Sequence, residues 1–215
     1  MRKVKIAPGE HYHIYNRGIN KQKIFLDESD YTRFLFCLLY FQSGITFNNL
    51  GYYVFNFKKN KKFNLSADTL SKIFSTRYVE LVNFCLMPNH FHLTVFEKNE
   101  KGIATYMQRV LNSYTKYFNT KYKRTGHLFQ GPYQAVYIED NEQLLHVSTY
   151  IHKNPKEVWG FNNSELISYP WSSYQDYVVN NRWDVFLKLD IVLGQFKNKV
   201  EYIDFVKTST AKENI

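Results

Sequence analysis

The stretch Asn83-Phe84-Cys85-Leu86-Met87-Pro88-Asn89-His90-Phe91-His92-Leu93-Thr94-Val95-Phe96 constrains the fold of this chain most tightly. Side chains alternate faces along a strand, so His90, His92, Thr94 and Phe96 line one side while Phe91, Leu93 and Val95 line the other. Proline is excluded from a central ladder but suits a chain reversal, and asparagine tolerates turn dihedrals. Met87-Pro88-Asn89 therefore predicts a turn, and residues 78 to 97 a hairpin whose second strand buries its apolar face and presents two imidazoles on the other. Two neighbouring imidazoles are half of a metal site.

The flanking sequence supplies the rest of a domain. Residues 11 to 17 read as a strand ending at Gly18, and its His11-Tyr12-His13 repeats the histidine spacing; these two are read as partly exposed strand residues. Asp27-Glu28-Ser29-Asp30 offers caps for a helix running to about Gln42, with Tyr31, Phe34, Leu35, Leu38 and Leu39 at helical steps. Residues 43 to 76 are expected to form a partly structured excursion, with Lys58-Lys59-Asn60-Lys61-Lys62 as a solvated tip. A long helix follows from about Ile103 to Lys123, then a strand from Gln134 to Glu139. Strand, helix, strand, strand, helix, strand predicts an α+β, ferredoxin-like antiparallel sheet with helices on one face and the histidine pair on a central strand of the open face.

A further helix is expected from about residue 142 to Lys153, stopped before Pro155. On a helical wheel Tyr150 lies roughly 120° from Leu144, off the apolar stripe, with Asn154 one turn further on the same side. Residues 1 to 178 are read as one domain and 179 to 215 as a helical C-terminal extension of the same unit.

Composition bounds the partners. Hydrophobic content of 44% with 18% aromatic residues excludes a disordered chain. The formal charge of +9, combined with 18 Tyr and 18 Phe, suits single-stranded nucleic acid, whose phosphates meet cations while bases stack on rings. No run of about 18 apolar residues exists, and Met1-Arg2-Lys3-Val4-Lys5 is not followed by a signal-peptide core. A soluble, unexported, cytoplasmic protein without a membrane partner is expected. Cys37 and Cys85 lack CxxC spacing and read as buried free thiols.

Leu86-Met87-Pro88-Asn89-His90-Phe91-His92-Leu93 resembles the HUH motif (histidine, bulky hydrophobe, histidine) of the single-tyrosine transposases, in particular the REP-associated tyrosine transposase branch. Further blocks are similar in order and spacing: His13-Ile14-Tyr15-Asn16-Arg17-Gly18, Met107 through Asn119, the loop Gly126-His127-Leu128-Phe129-Gln130-Gly131, and Tyr150-Ile151-His152-Lys153-Asn154-Pro155. The likeness spans about residues 8 to 175 and implies a DNA strand-cleaving and strand-transferring enzyme. In it Tyr150 is the nucleophile, and His90, His92 and Asn154 hold Mg²⁺ or Mn²⁺. The implied substrate is single-stranded DNA beside a hairpin, the implied intermediate a 5′-phosphotyrosine, and the implied assembly a monomer or homodimer. The chemistry is coherent: a divalent ion neutralises a phosphodiester, and a phenol with an ordinary pKa near 10 leaves more readily than an alkoxide, so the intermediate can be religated.

Arg17, Arg109, His146 and Lys153 are DNA-contact candidates by position, whereas Tyr114 and Tyr117 are assigned to packing. One departure is that Pro132-Tyr133-Gln134 replaces the basic residues with which the family commonly continues its Gly-His-Leu-Phe-Gln-Gly loop. Two other readings stand beside this one. A domesticated, non-catalytic hairpin-DNA binder would keep the fold. A two-histidine RNA or cyclic phosphodiesterase would use His92-Leu93-Thr94 and His146-Val147-Ser148, but it needs both motifs on strands, and residue 146 falls in an expected helix.

Overall fold

The computed structural model describes residues 4–209, so the expected basic N-terminus and the last part of the C-terminal extension, residues 1–3 and 210–215, lie outside the described residues. Four strands, β1 (His11–Arg17), β2 (Val79–Met87), β3 (His90–Glu97) and β4 (Gln134–Ile138), form one antiparallel sheet in the order β2-β3-β1-β4. With α1 (Glu28–Tyr40) between β1 and β2, and α4 (Gly102–Lys121) between β3 and β4, this is the ferredoxin-like arrangement, and the histidine pair stands on a central strand. The hairpin closes through Pro88-Asn89.

Phe91, Leu93 and Val95 are fully buried, and with Tyr12 and Ile14 of β1 they meet α1 and α4. The ring of Phe34 lies 5.0 Å from both Phe91 and Tyr114, joining sheet and both helices. These helices are also tied by a buried charge. The Asp30 carboxylate is inaccessible to solvent and accepts from Lys121 Nζ at 2.7 Å, Tyr122 Oη at 2.7 Å and Tyr117 Oη at 3.0 Å. Such a group is tolerated only when its lone pairs are filled, so it fixes how α1 and α4 meet.

The expected partly structured excursion from 43 to 76 holds two helices, α2 (Leu50–Asn60) and α3 (Ala67–Thr76), joined by irregular segments. Both helices are short, and their caps were inconspicuous: Ser66 accepts from Thr69 N, and Asn49 enters α2 in the left-handed region at φ 51°. Phe57 and Ile73 are the buried contributions of this pair to the main core. The lysine run at the end of α2 is exposed, and Lys61 pairs with Glu28 at 2.7 Å.

The second sheet face is not left open over its whole width. α5 (Asn141–Trp159) packs on β2 and β3, and α6 (Asn163–Ser168), α7 (Tyr174–Val178), α8 (Asp190–Leu193) and α9 (Lys199–Thr208) surround it. Val82 and Met87 of β2 join Leu144, Val147, Ile151, Tyr202 and Val206 in a second core there. The expected end of this helix before Pro155 is corrected. Proline forfeits one backbone hydrogen bond to the carbonyl four residues earlier, but Pro155 is buried and the helix continues to a left-handed cap at Gly160. Beyond the proline, Trp159 packs on Phe161 and Tyr169 at 5.1 and 5.5 Å.

His152 anchors this layer. Fully buried, it has Tyr202 Oη of α9 at 2.7 Å from Nδ1 and Ser173 Oγ at 2.9 Å from Nε2, while Ser173 also bonds both backbone groups of Phe84 in β2. Burial lowers its pKa from 6.5 to about 3. Below pH 6.5 the unfolded chain therefore binds a proton that the folded chain refuses, so stability is complete above that pH and falls with acidification. The expected loss is about 1.4 kcal/mol per pH unit from this residue. Urea denaturation across pH should show a flatter acid limb in His152→Gln, which keeps a donor and an acceptor but does not titrate.

Candidate active site

Strand register brings the site together. In the β1/β3 pair Arg17 stands opposite His90, Tyr15 opposite His92 and His13 opposite Thr94, so these side chains share one face. The turn ahead of His90 is clamped by the segment after β1. Pro88 O accepts from Ile24 N at 2.8 Å and Asn89 O from Gly18 N at 2.8 Å. A Cβ on Gly18 would stand 2.2 Å from the Gln22 carbonyl oxygen, so the Asn16-Arg17-Gly18 turn requires glycine for this close return of the chain.

α5 supplies the other half. The Tyr150 ring meets His92 edge-on at 5.2 Å and His13 at 5.9 Å. One turn later Asn154 Oδ1 lies 3.0 Å from His90 Nε2. The expectation that Tyr150 lies off the buried surface is corrected: it is 6% exposed. A helical wheel shows one apolar stripe, but α5 has neighbours on two sides: apolar residues and His152 face the C-terminal helices, and Tyr150 and Asn154 face the histidines of the sheet. Strand, hairpin and helix of one chain bring these groups together.

His90 shows the polarity expected of a cation site. Its Nδ1 is 2.7 Å from Asn89 Oδ1, an acceptor, and a proton on Nδ1 would leave the Nε2 lone pair for an ion. Nε2 lies 3.0 Å from the Asn154 carbonyl oxygen, also an acceptor. Two acceptors so placed suit a shared cation, and adjacent ligands of an octahedral ion with bonds of about 2.1 Å stand about 3 Å apart. His92 is kept neutral because burial, then the neighbouring His13 and His90, hold its pKa well below the usual range. Neutral imidazole is the ligating form. The residues therefore fit a divalent ion.

Around them opens a cleft of about 1010 Å³, with Tyr15, Asn16, Arg17, Lys21, Gln130 and Glu157 in its lining. The loop from Gly126 to Gly131 reaches it by pairing with the end of β1: Gln130 N donates to Arg17 O at 2.9 Å and Asn16 Nδ2 to Gly131 O at 3.0 Å. Arg17 Nε donates to the Gln130 side chain. Among the expected DNA contacts, Arg17 is the one in the cleft. Arg109 lies on the opposite face, donating to Ser43 O, Ile45 O and Tyr78 Oη and covering the Phe41 ring at 4.8 Å. His146 stands beside Glu142 and Phe205, and Lys153 donates to Ser209 O at 2.6 Å. Tyr114 and Tyr117 are packed as expected, donating to Ile24 O and Asp30. His146-Val147-Ser148 lies on α5, away from the strand a two-histidine phosphodiesterase requires.

The strand pattern alone did not reveal His13. It is 2% exposed, not a partly exposed strand residue, and burial lowers its pKa to about 4. Glu157 was also passed over, because the helix was expected to end before it. The alternation His13-x-Tyr15-x-Arg17 was the available signal, since pairing with β3 puts all three on the face of His90 and His92.

The ferredoxin-like sheet thus carries the histidine pair on a central strand, and α5 brings one tyrosine against it. Residues 52–154 match the model of the IS200-like transposases. The match spans His90, His92, Tyr150 and Asn154 and leaves out β1. The structure is also similar to that of a REP-associated tyrosine transposase bound to a REP hairpin, with a TM-score of 0.53 and 14% identity over 100% of this chain and 99% of that one. At that identity the likeness concerns the fold. No curated protein matches the chain. Among the described residues no helix is long and apolar enough to cross a membrane.

The position of Arg109 yields a stability expectation. Arg109→Leu leaves the Ile45 carbonyl without its donor and the Ser43 carbonyl with Tyr78 Oη alone, and should cost about 2 kcal/mol in urea unfolding.

Proposed function

We propose that the protein is a metal-dependent transposase that cleaves and rejoins single-stranded DNA beside a hairpin through a 5′-phosphotyrosine on Tyr150. The observation that carries this reading is the convergence of the Tyr150 ring, both HUH histidines and Asn154 within one cleft of one chain. The matching family is one of transposases, and the solved neighbour holds a DNA hairpin.

His90, His92 and Asn154 would hold Mg²⁺ or Mn²⁺. When bound, the ion neutralises the scissile phosphate and polarises it for attack. Tyr150 acts as nucleophile: its phenolic oxygen forms a bond to phosphorus, the bond from phosphorus to the 3′ oxygen breaks, and the proton lost by the phenol ends on the 3′ hydroxyl. The reverse attack by a 3′ hydroxyl restores a phosphodiester and the tyrosine, so strand transfer needs no nucleotide cofactor. The helical step from Tyr150 to Asn154 puts nucleophile and ligand on one side of α5, and the rigid sheet sets their distance from His90 and His92. Arg17 and Lys21 at the cleft attract the phosphates flanking the reacting one.

Labelled hairpin-bearing single strands incubated with Mn²⁺ should give a covalent protein–DNA adduct on denaturing gels. Tyr150→Phe should abolish it, and His90→Ala or Asn154→Ala should reduce it at least about 100-fold. An adduct that persists in Tyr150→Phe assigns the nucleophile elsewhere. Tight hairpin binding with no adduct from the wild type replaces this reading with that of a non-catalytic hairpin binder.

A further inference from the structure

His13 and His92 are not register partners, yet their rings meet across the sheet face. His13 Nε2 lies 2.9 Å from His92 Nδ1, with the rings 5.1 Å apart and 22° from parallel. Both are buried, at 2% and 8% exposure. A hydrogen bond between two neutral imidazoles has one donor and one acceptor, so it couples their tautomers. With the proton on Nδ1, His92 donates to His13 and its Nε2 keeps a lone pair. With the proton on Nε2, His92 has no lone pair left to offer an ion. The other nitrogen of His13, Nδ1, is buried without a hydrogen-bond partner among the described residues, so its polar contact is with His92.

We propose that His13 is a positioning residue for the cation site: it accepts the Nδ1 proton of His92 and thereby fixes the ring and tautomer that turn the His92 Nε2 lone pair toward the ion. The inference rests on the metal-dependent reading above and adds a residue outside the histidine pair and the family match. It also explains why a histidine is buried opposite Thr94, where a strand in a purely packing role would carry an apolar side chain. His90 already has an equivalent partner in Asn89. Each HUH histidine thus has its outer nitrogen held by a side chain, the arrangement by which ligating histidines are generally oriented.

The test uses the full chain without DNA, as wild type, His13→Leu and His13→Gln. Mn²⁺ binding is followed by the electron paramagnetic resonance of the free ion, and the His92 tautomer by ¹⁵N chemical shifts with and without saturating Mg²⁺. The expected result is a loss of about 10- to 100-fold in Mn²⁺ affinity for His13→Leu. Most of that affinity should return in His13→Gln, whose carbonyl oxygen can accept the same proton, and wild-type His92 should carry its proton on Nδ1 when Mg²⁺ is bound. Wild-type affinity in a folded His13→Leu overturns the proposal, as does a Gln variant no better than the Leu variant. If His13→Leu does not fold, the wild-type tautomer decides: a proton on His92 Nε2 in saturating Mg²⁺ overturns the proposal. A wild type that binds no Mn²⁺ overturns the metal-dependent reading itself, a distinct failure visible before any variant is compared.

Discussion

Tyr150 and His152 lie two residues apart on α5, and the second holds the first in place. Both ring nitrogens of His152 are engaged by groups from distant parts of the chain, Tyr202 on α9 and Ser173, which itself bonds Phe84 in β2. Ser148, one turn earlier on α5, meets the same Tyr202 hydroxyl at 2.9 Å. Buried as they are, each of these groups would lose about 1–3 kcal/mol if left unpaired, so the network tolerates little sliding of α5 along the sheet. The C-terminal helices therefore act as more than an appendage. By holding the far side of α5 they determine that its near side presents Tyr150 and Asn154 to β3.

The two sheet faces answer different physical demands. On the face of Phe91 and Leu93, aromatic packing and the Asp30 hub give a rigid support, and a buried carboxylate is stable there because four donors surround it, the Leu26 backbone N–H among them. On the other face, His13 and His92 are buried and kept neutral, while Arg17 and Lys21 lie exposed at the cleft. Neutral imidazoles inside and cations outside suit the proposed function, in which the site takes both an ion and a polyanion: the imidazoles would not repel the ion, and a DNA strand would meet charge compensation at the rim.

Much of this was legible before any coordinates. The period of two through His90 and His92, the turn chemistry of Pro88-Asn89 and the cap at Asp27 are local signals, and the strand and helix order that follows from them leads to the ferredoxin-like sheet. What was missed shares one origin. The short helices in 43 to 76, the passage of α5 through Pro155, the burial of Tyr150 and the role of His13 each depend on what a segment packs against. Pro155 shows this most clearly: a local rule ends the helix there, but packing on both sides of α5 and the Gly160 cap carry it to Trp159, and so bring Glu157 into the cleft.

The sequence by itself determined which residues carry chemistry-bearing groups and on which kind of element: two imidazoles on one strand face, and a phenol and an amide one helical turn apart. Those relations span a few residues, where backbone periodicity alone decides which side chains are neighbours. Only the tertiary structure decided that the helix lies against the histidine face within the same chain, that Asn154 meets His90, and that a histidine from β1 completes the set. Those relations join residues 60 to 140 positions apart, and they arise from strand register and the burial of polar groups, which no local pattern encodes.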